Sequence, residues 1–295
     1  MGRSGELSAG ASALRTATAM PRGEFFAWLF ALGCINGLAS RMIQSIGRLG
    51  WTDALVSTFD VSAIVWLSCA AGIVLVLGDR TIGLRSPDLA VGAGFLCLVI
   101  LPIGPLSWVA ISALSLYLIV IGPHLVGADV ASSDVEKSRR GAFILLAVTV
   151  PMLWSRLLFQ LFANFILEMD SSLVGRILGT QRAGNVIGFA DGSGVLVILP
   201  ACSSLANMSL AVLCWVTVSQ IAERKPSARD LLWCLLACMS VIAANVTRLG
   251  LMGLSQWHYT ALHGPWGEAA ANAIILALIV GISVLGVRRD LFQRV

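Results

Sequence analysis

The stretch Ala269–Val287, AAANAIILALIVGISVLGV, decides the fold. It carries no charged residue, and Arg288-Arg289 follow it directly. A helix of about 20 residues crosses a hydrocarbon layer, so this run reads as a membrane span with a basic stop at one end. The same reading recurs toward the N-terminus. Residues AVILMFWYC make up 57% of the chain and DEKR only 12%, against about 25% charged in a soluble domain. Eight spans are expected: Phe25–Ser40, Ala54–Leu77, Leu89–Pro102, Leu106–Ile121, Gly141–Phe165, Ala201–Ile221, Leu231–Leu254 and Ala269–Val287. The fold class is therefore an all-α multi-pass transmembrane bundle. Residues 1–24 are expected to form a disordered cytoplasmic N-terminus, with Met20-Pro21-Arg22 as an alternative start. Residues 25–295 form a single integral membrane domain.

The basic residues orient these spans. With the N-terminus inside, the inner segments hold Arg3, Arg15, Arg22, Arg80, Arg85, Lys137, Arg139, Arg140, Arg224, Lys225, Arg229, Arg288, Arg289 and Arg294. The outer loops hold only Arg41, Arg48, Arg176 and Arg182. This inside bias makes both termini cytoplasmic. The net charge of +4 comes with no basic stripe and no interleaved aromatics, so nucleic acid is not expected as a partner. Seven cysteines scattered singly form neither a disulfide framework nor a metal-ligand spacing, and no metal or organic cofactor is indicated. Cys34, Cys69, Cys97, Cys214, Cys234 and Cys238 read as small apolar fillers.

The outer segment from Leu167 to Pro200 is more than a linker. Ser171–Leu178 has the pattern of a short interfacial helix. Asn185–Phe189 and Val195–Leu199 flank Ala190-Asp191-Gly192-Ser193-Gly194, which suits a hairpin loop. A small extracytoplasmic helix and hairpin thus lead into the sixth span. There, in Leu199-Pro200-Ala201-Cys202-Ser203-Ser204-Leu205, Cys202 stands where an exposed segment becomes a helix. A thiol at a helix N-terminus faces the positive end of the helix dipole, which favours the nucleophilic thiolate.

Arg248 falls near the outer end of the seventh span, and His263 in the outer loop before the eighth. Three segments therefore bring a nucleophile, a cation and a proton-transfer group to one depth. An arginine inside a span costs roughly 2.5–3.5 kcal/mol on insertion scales and normally faces a polar cavity or a partner. A thiolate attacks a carbonyl, an imidazole moves the proton, and a fixed cation stabilises the oxyanion. Taken alone, each residue has a plainer role: a buried thiol, a snorkelling arginine, an interfacial histidine. His258, between Trp257 and Tyr259, suits interfacial anchoring. Asp60 and Arg156 read as intramembrane ion-pairing groups, with each other or with the site. Glu168, Asp170, Asp191 and Glu268 read as solvated loop acids.

These residues resemble the exosortase/archaeosortase family of membrane cysteine transpeptidases. Ala201-Cys202-Ser203 is similar to that family's Ala-Cys-Ser-Gly signature, and Asn245-Val246-Thr247-Arg248-Leu249 to its Asn-x-x-Arg-Ile element. His263 with Gly267 is similar to its His-x-x-x-Gly element. The resemblance covers about 151–287 as the catalytic part, with a similar apolar layout before it. It implies Cys202 as nucleophile, Arg248 as electrostatic stabiliser and His263 as proton-transfer residue, with Asn245, Ser203 and His258 as supporting candidates. It implies as partners proteins with a C-terminal sorting signal (a short motif, a transmembrane helix and a basic tail) and an amine or hydroxyl acceptor in the envelope. The implied location is a bacterial inner membrane with an extracytoplasmic site. Ser204 departs from the family glycine and is expected to narrow the approach to the thiol. Two other function classes fit the same composition: a transporter or channel with Arg248, Arg156 and Asp60 along its path, and a non-catalytic membrane assembly factor.

Overall fold

Pro21 holds extended backbone (φ −60°, ψ 147°) just before the first helix, α1 (Arg22–Leu49), where its missing N–H costs nothing. The computed structural model describes residues 20–79, 82–101, 103–121, 132–225 and 227–292. The expected disordered segment therefore lies outside the described residues up to residue 19, whereas residues 22–24 form the first turn of α1. After α1 come α2 (Trp51–Val56), a 3-10 turn (Thr58–Asp60), α3 (Ala63–Leu77) and α4 (Ser86–Val99). Next are α5 (Gly104–Leu116), which a π turn (Tyr117–Ile121) continues, and α6 (Ser132–Thr149). A second π turn (Val150–Trp154) leads into α7 (Ser155–Leu178). Then follow β1 (Arg182–Ala183), β2 (Val186–Gly188), β3 (Val195–Val197), a 3-10 turn (Pro200–Cys202), α8 (Ser204–Ile221), α9 (Ala228–Met252), α10 (Gln256–His263) and α11 (Pro265–Phe292).

Among the described residues, six helical stretches are long and apolar enough to cross a membrane: Arg22–Leu49, Gly104–Ile121, Ser133–Leu178, Ser204–Ile221, Ala228–Met252 and Pro265–Arg288. The protein is a helical membrane protein. The second and third expected spans correspond to α3 and α4, of 15 and 14 residues. At 1.5 Å per residue they rise about 21–23 Å, short of a hydrocarbon core of about 30 Å. The two are consecutive, so every later span keeps its direction whether both cross or neither does.

The second expected span is also interrupted. Thr58, Phe59 and Asp60 all have positive φ, a conformation that L side chains disfavour and that stops a helix. Helix α3 restarts at Ala63, where the Ser62 hydroxyl accepts from Ile64 N at 3.3 Å. Asp60 consequently lies outside a span and forms an ion pair with Arg48.

The chain divides into two compact units at Leu146/Ala147. In the first, α1 packs on α3, α4 and α5. A Cβ at Gly33 would stand 2.8 Å from the Phe95 ring, and one at Gly37 would stand 2.7 Å from Trp108. Small residues at these two crossings let apolar helices approach where no hydrophobic effect drives them together. At one end of α1, buried Arg22 donates from Nε and Nη2 to Asp88 at 2.9–3.0 Å. Tyr117 Oη donates to the same carboxylate at 2.8 Å.

Asp79, just past α3 and fully buried, accepts no well-formed hydrogen bond at either oxygen among the described residues. Burial pushes its carboxyl up to about 6; Asp134 and Asp88 add to the rise, and Arg22 and the Ile82 backbone oppose it. A carboxyl raised in the fold stabilises it most below the ordinary carboxylate range and loses that contribution as pH climbs through about 6. The unfolding temperature in detergent should therefore fall between pH 5 and pH 7. Asp79→Asn should remove most of that fall and raise stability at pH 7 by on the order of 2 kcal/mol. An unchanged pH profile in the variant would contradict the assignment.

In the second unit, α8, α9 and α11 pack together, and α7 packs on α8 and α9. Helix α9 exposes Leu231, Leu232, Leu235, Leu236 and Met239 while burying Cys238, Val241, Asn245, Leu249 and Met252. That is one lipid-facing and one packed stripe at helical spacing. Ser171–Leu178 is not a separate interfacial helix: it is the last turns of α7, which ends at Gly179 in the left-handed conformation (φ 67°). The hairpin forms as expected, with Ile187 opposite Leu196, and β1 adds a third antiparallel strand. Ile187, Phe189, Leu196 and Ile198 pack onto Leu167 and Val174 of α7 and Val246, Leu249 and Met252 of α9. The turn bearing Cys202 leaves directly from this platform.

Candidate active site

Pro200 begins a 3-10 turn in which Cys202 N donates to Leu199 O at 2.9 Å. Helix α8 begins only at Ser204, with Ser203 as its cap: the Ser203 hydroxyl accepts from Leu205 N at 3.3 Å. Cys202 thus precedes the cap by one residue and does not occupy the first turn. The helix end itself is taken by Asp170 of α7. Its carboxylate accepts from Ser204 N at 3.2 Å and from Ser204 Oγ at 3.0 Å. A buried anion at a helix N-terminus satisfies an orphan N–H and the dipole together. The dipole argument made for the thiol therefore applies to Asp170.

Asp170 is a correction to the sequence reading. It is buried, not a solvated loop acid, because Leu167, Asp170, Ser171 and Val174 share the inward face of α7 at helical spacing. That periodicity was the available signal. Glu168, Asp191 and Glu268 are exposed as expected. Ser204 also differs from expectation. Its buried hydroxyl is engaged with Asp170 and accepts from Asn245 Nδ2 at 3.0 Å, so it points into this knot instead of screening the thiol.

Asn245 ties the knot to Cys202. The same Nδ2 donates to the Cys202 carbonyl oxygen at 2.8 Å, and the Asn245 side chain is buried. Asp170, Ser204, Asn245 and the Cys202 backbone are thereby fixed by three elements. The Cys202 side chain is half-buried against the platform, where Ile242, Tyr259 and Leu262 also pack.

Arg248 follows Asn245 by three residues on α9, about 4.5 Å further along the axis. It is half-buried, and its Nε finds no hydrogen-bond partner among the described residues. A buried donor left unpaired costs roughly 1–3 kcal/mol, a cost that an incoming oxyanion would relieve.

His263 ends α10. It is exposed, and its ring stacks on Tyr259 with centroids 5.1 Å apart and planes 14° apart. The Tyr259 ring in turn lies against Phe189 of the platform. No hydrogen bond joins the thiol, the guanidinium and the imidazole among the described residues. Cys202 and Asn245 are in direct contact, Arg248 is one helical turn away, and His263 reaches the same platform through Tyr259. His258 is engaged otherwise: its Nδ1 lies 2.8 Å from Ser255 Oγ, and its backbone N donates to that hydroxyl at 3.3 Å, forming the cap of α10.

Gly267 sets the angle at which α10 meets α11. A Cβ there would stand 2.5 Å from Leu262 Cα and 2.6 Å from Leu262 O, backbone atoms that cannot yield cheaply. Gly267→Ala should therefore displace His263 and, on the reading of His263 as a proton-transfer residue, lower turnover by about 10-fold or more. Gly281→Ala, in open space on the same helix, should have no such effect. Initial rates at matched membrane abundance compare the two, and equal rates would remove Gly267 from this role.

Among the described residues, no group of three or more His, Cys, Asp or Glu side chains has a metal-binding arrangement. Comparison of the chain with protein-family models, with curated proteins and with solved structures finds no match.

Proposed function

We propose that this protein is an exosortase-like membrane cysteine peptidase or transpeptidase that cleaves proteins carrying a C-terminal sorting signal. The observation that supports it best is the Asn245–Cys202 bond: it holds the thiol's backbone beside the helix that presents Arg248. In this reading the Cys202 thiolate attacks the scissile carbonyl, and Arg248 holds the developing oxyanion. The tetrahedral adduct collapses, the C–N bond breaks, and the leaving amine takes its proton from the His263 imidazolium. A thioester on Cys202 remains. An amine or hydroxyl acceptor from the envelope, or water, attacks it, gives its proton to His263 and releases the thiolate. The inside bias of basic residues supports cytoplasmic termini in an inner membrane and a site on the opposite face.

Thioester trapping tests this mechanism. Co-expression with a tailed substrate, followed by denaturing electrophoresis, should show a covalent adduct that neutral hydroxylamine releases. An adduct absent under all conditions, with cleavage intact, would count against the acyl-enzyme.

A further inference from the structure

We propose that the groove between α7 and α8 is a binding site for an anionic phospholipid of the surrounding bilayer, with its phosphate on Arg156. Arg156 stands in an apolar helical stretch, and no hydrogen bond or ion pair engages it among the described residues. It lines a cavity of about 300 Å³ together with Gln160, Pro200 and Ser203. Among the described residues it is the only charged side chain lining that cavity. Gln160 follows at i+4, on the same face of α7. Pro200 belongs to the turn that carries Cys202, so Arg156 sits at the level of that turn.

A second cavity of about 470 Å³ shares Ser155 and Leu205 with the first. Its remaining walls are almost wholly apolar, including Trp154, Leu157, Leu158 and Leu161, all of them exposed. The π turn Val150–Trp154 shapes this space. Pro151 lies within it, lacks an N–H, and cannot complete a regular α-helical ladder. Val150 and Trp154 both line the resulting trough.

An unpaired guanidinium inside a membrane needs an anion or water. A phosphate accepts from its planar fork of donors in a bidentate way, and the Gln160 amide and Ser203 hydroxyl add further donors. The adjoining trough then takes an acyl chain. A peptide carboxylate would satisfy Arg156 but would leave the contiguous apolar trough unexplained. A phospholipid accounts for both, as basic pockets between membrane helices do for lipid headgroups.

The test is lipid retention measured by native mass spectrometry on the full chain, and it requires no catalysis. The protein is released from nanodiscs of equal phosphatidylglycerol and phosphatidylcholine. Wild type should retain one phosphatidylglycerol at least 10-fold over phosphatidylcholine. Arg156→Gln should lose that preference, and Arg156→Lys should keep part of it. Leu158→Trp, which fills the trough, should release both lipids, and Arg48→Gln should behave as wild type. Equal retention of the two lipids by wild type would overturn the proposal, as would undiminished phosphatidylglycerol on Arg156→Gln. If wild type retains no lipid and Arg156→Gln loses substrate processing in pure phosphatidylcholine, the occupant is a peptide carboxylate and the lipid proposal fails.

Discussion

Cys202→Ala should abolish processing of a tailed substrate, by roughly 10³-fold or more, while the protein accumulates at its normal level. Both halves of this expectation have a structural basis. The thiol is the sole candidate nucleophile in the turn, so nothing replaces it. The contacts that hold the turn run through backbone atoms instead: Cys202 N to Leu199 O, and the Cys202 carbonyl to Asn245 Nδ2. Alanine keeps both. Cys214, buried on α8, has no such position, and Cys214→Ala should process normally. The measurement is substrate cleavage at matched membrane abundance. Cleavage surviving in Cys202→Ala would rule out the cysteine mechanism and favour a scaffold or assembly role.

His263→Ala should lower turnover by roughly 10² or more, the usual scale of general acid–base catalysis. His258→Ala should cost much less. The two imidazoles share a short helix but not a situation. The His258 ring nitrogen and backbone are both bonded to Ser255, so its loss removes one side-chain hydrogen bond, on the order of 1 kcal/mol, and leaves the backbone cap of α10 in place. The His263 ring is exposed and, among the described residues, held only by stacking on Tyr259, which leaves its nitrogens open to a substrate proton. Arg248→Lys should also be severely impaired, since an ammonium cannot reproduce the planar fork of a guanidinium. Processing assays of all three variants, with pH profiles, separate these roles. Near-normal turnover in His263→Ala together with loss in His258→Ala would transfer the proton role to His258.

Much of this arrangement was readable in the chain. Uncharged apolar runs specify membrane helices because backbone groups in lipid must be satisfied within the segment. The information is therefore local: six of the eight expected spans coincide with helical stretches long and apolar enough to cross, and the second and third coincide with the shorter helices α3 and α4. The alternation around Ala190–Gly194 marked the hairpin for the same reason. The sequence was weaker where short helices and turns compete. Asp60 looked intramembrane because hydropathy does not register three consecutive left-handed residues. Ser171–Leu178 looked separate because Glu168 and Asp170 interrupt the apolar run, whereas the helix continues through them.

What the sequence determined by itself is the class of protein and the placement of Cys202 and Arg248 near helix ends, since span length and charge bias are properties of single segments. Tertiary structure alone decided which polar groups meet. Asp170 lies 32 residues before Cys202 in the chain, yet it occupies the start of α8, and Ser204 turns toward it and away from the thiol. Asp60 pairs with Arg48, and no ion pair engages Arg156 among the described residues. Such pairings depend on how helices distant in sequence are rotated against one another. In an apolar medium, where a lone charge or donor is costly, that rotation determines whether a polar residue becomes a structural tie or stays open to a ligand.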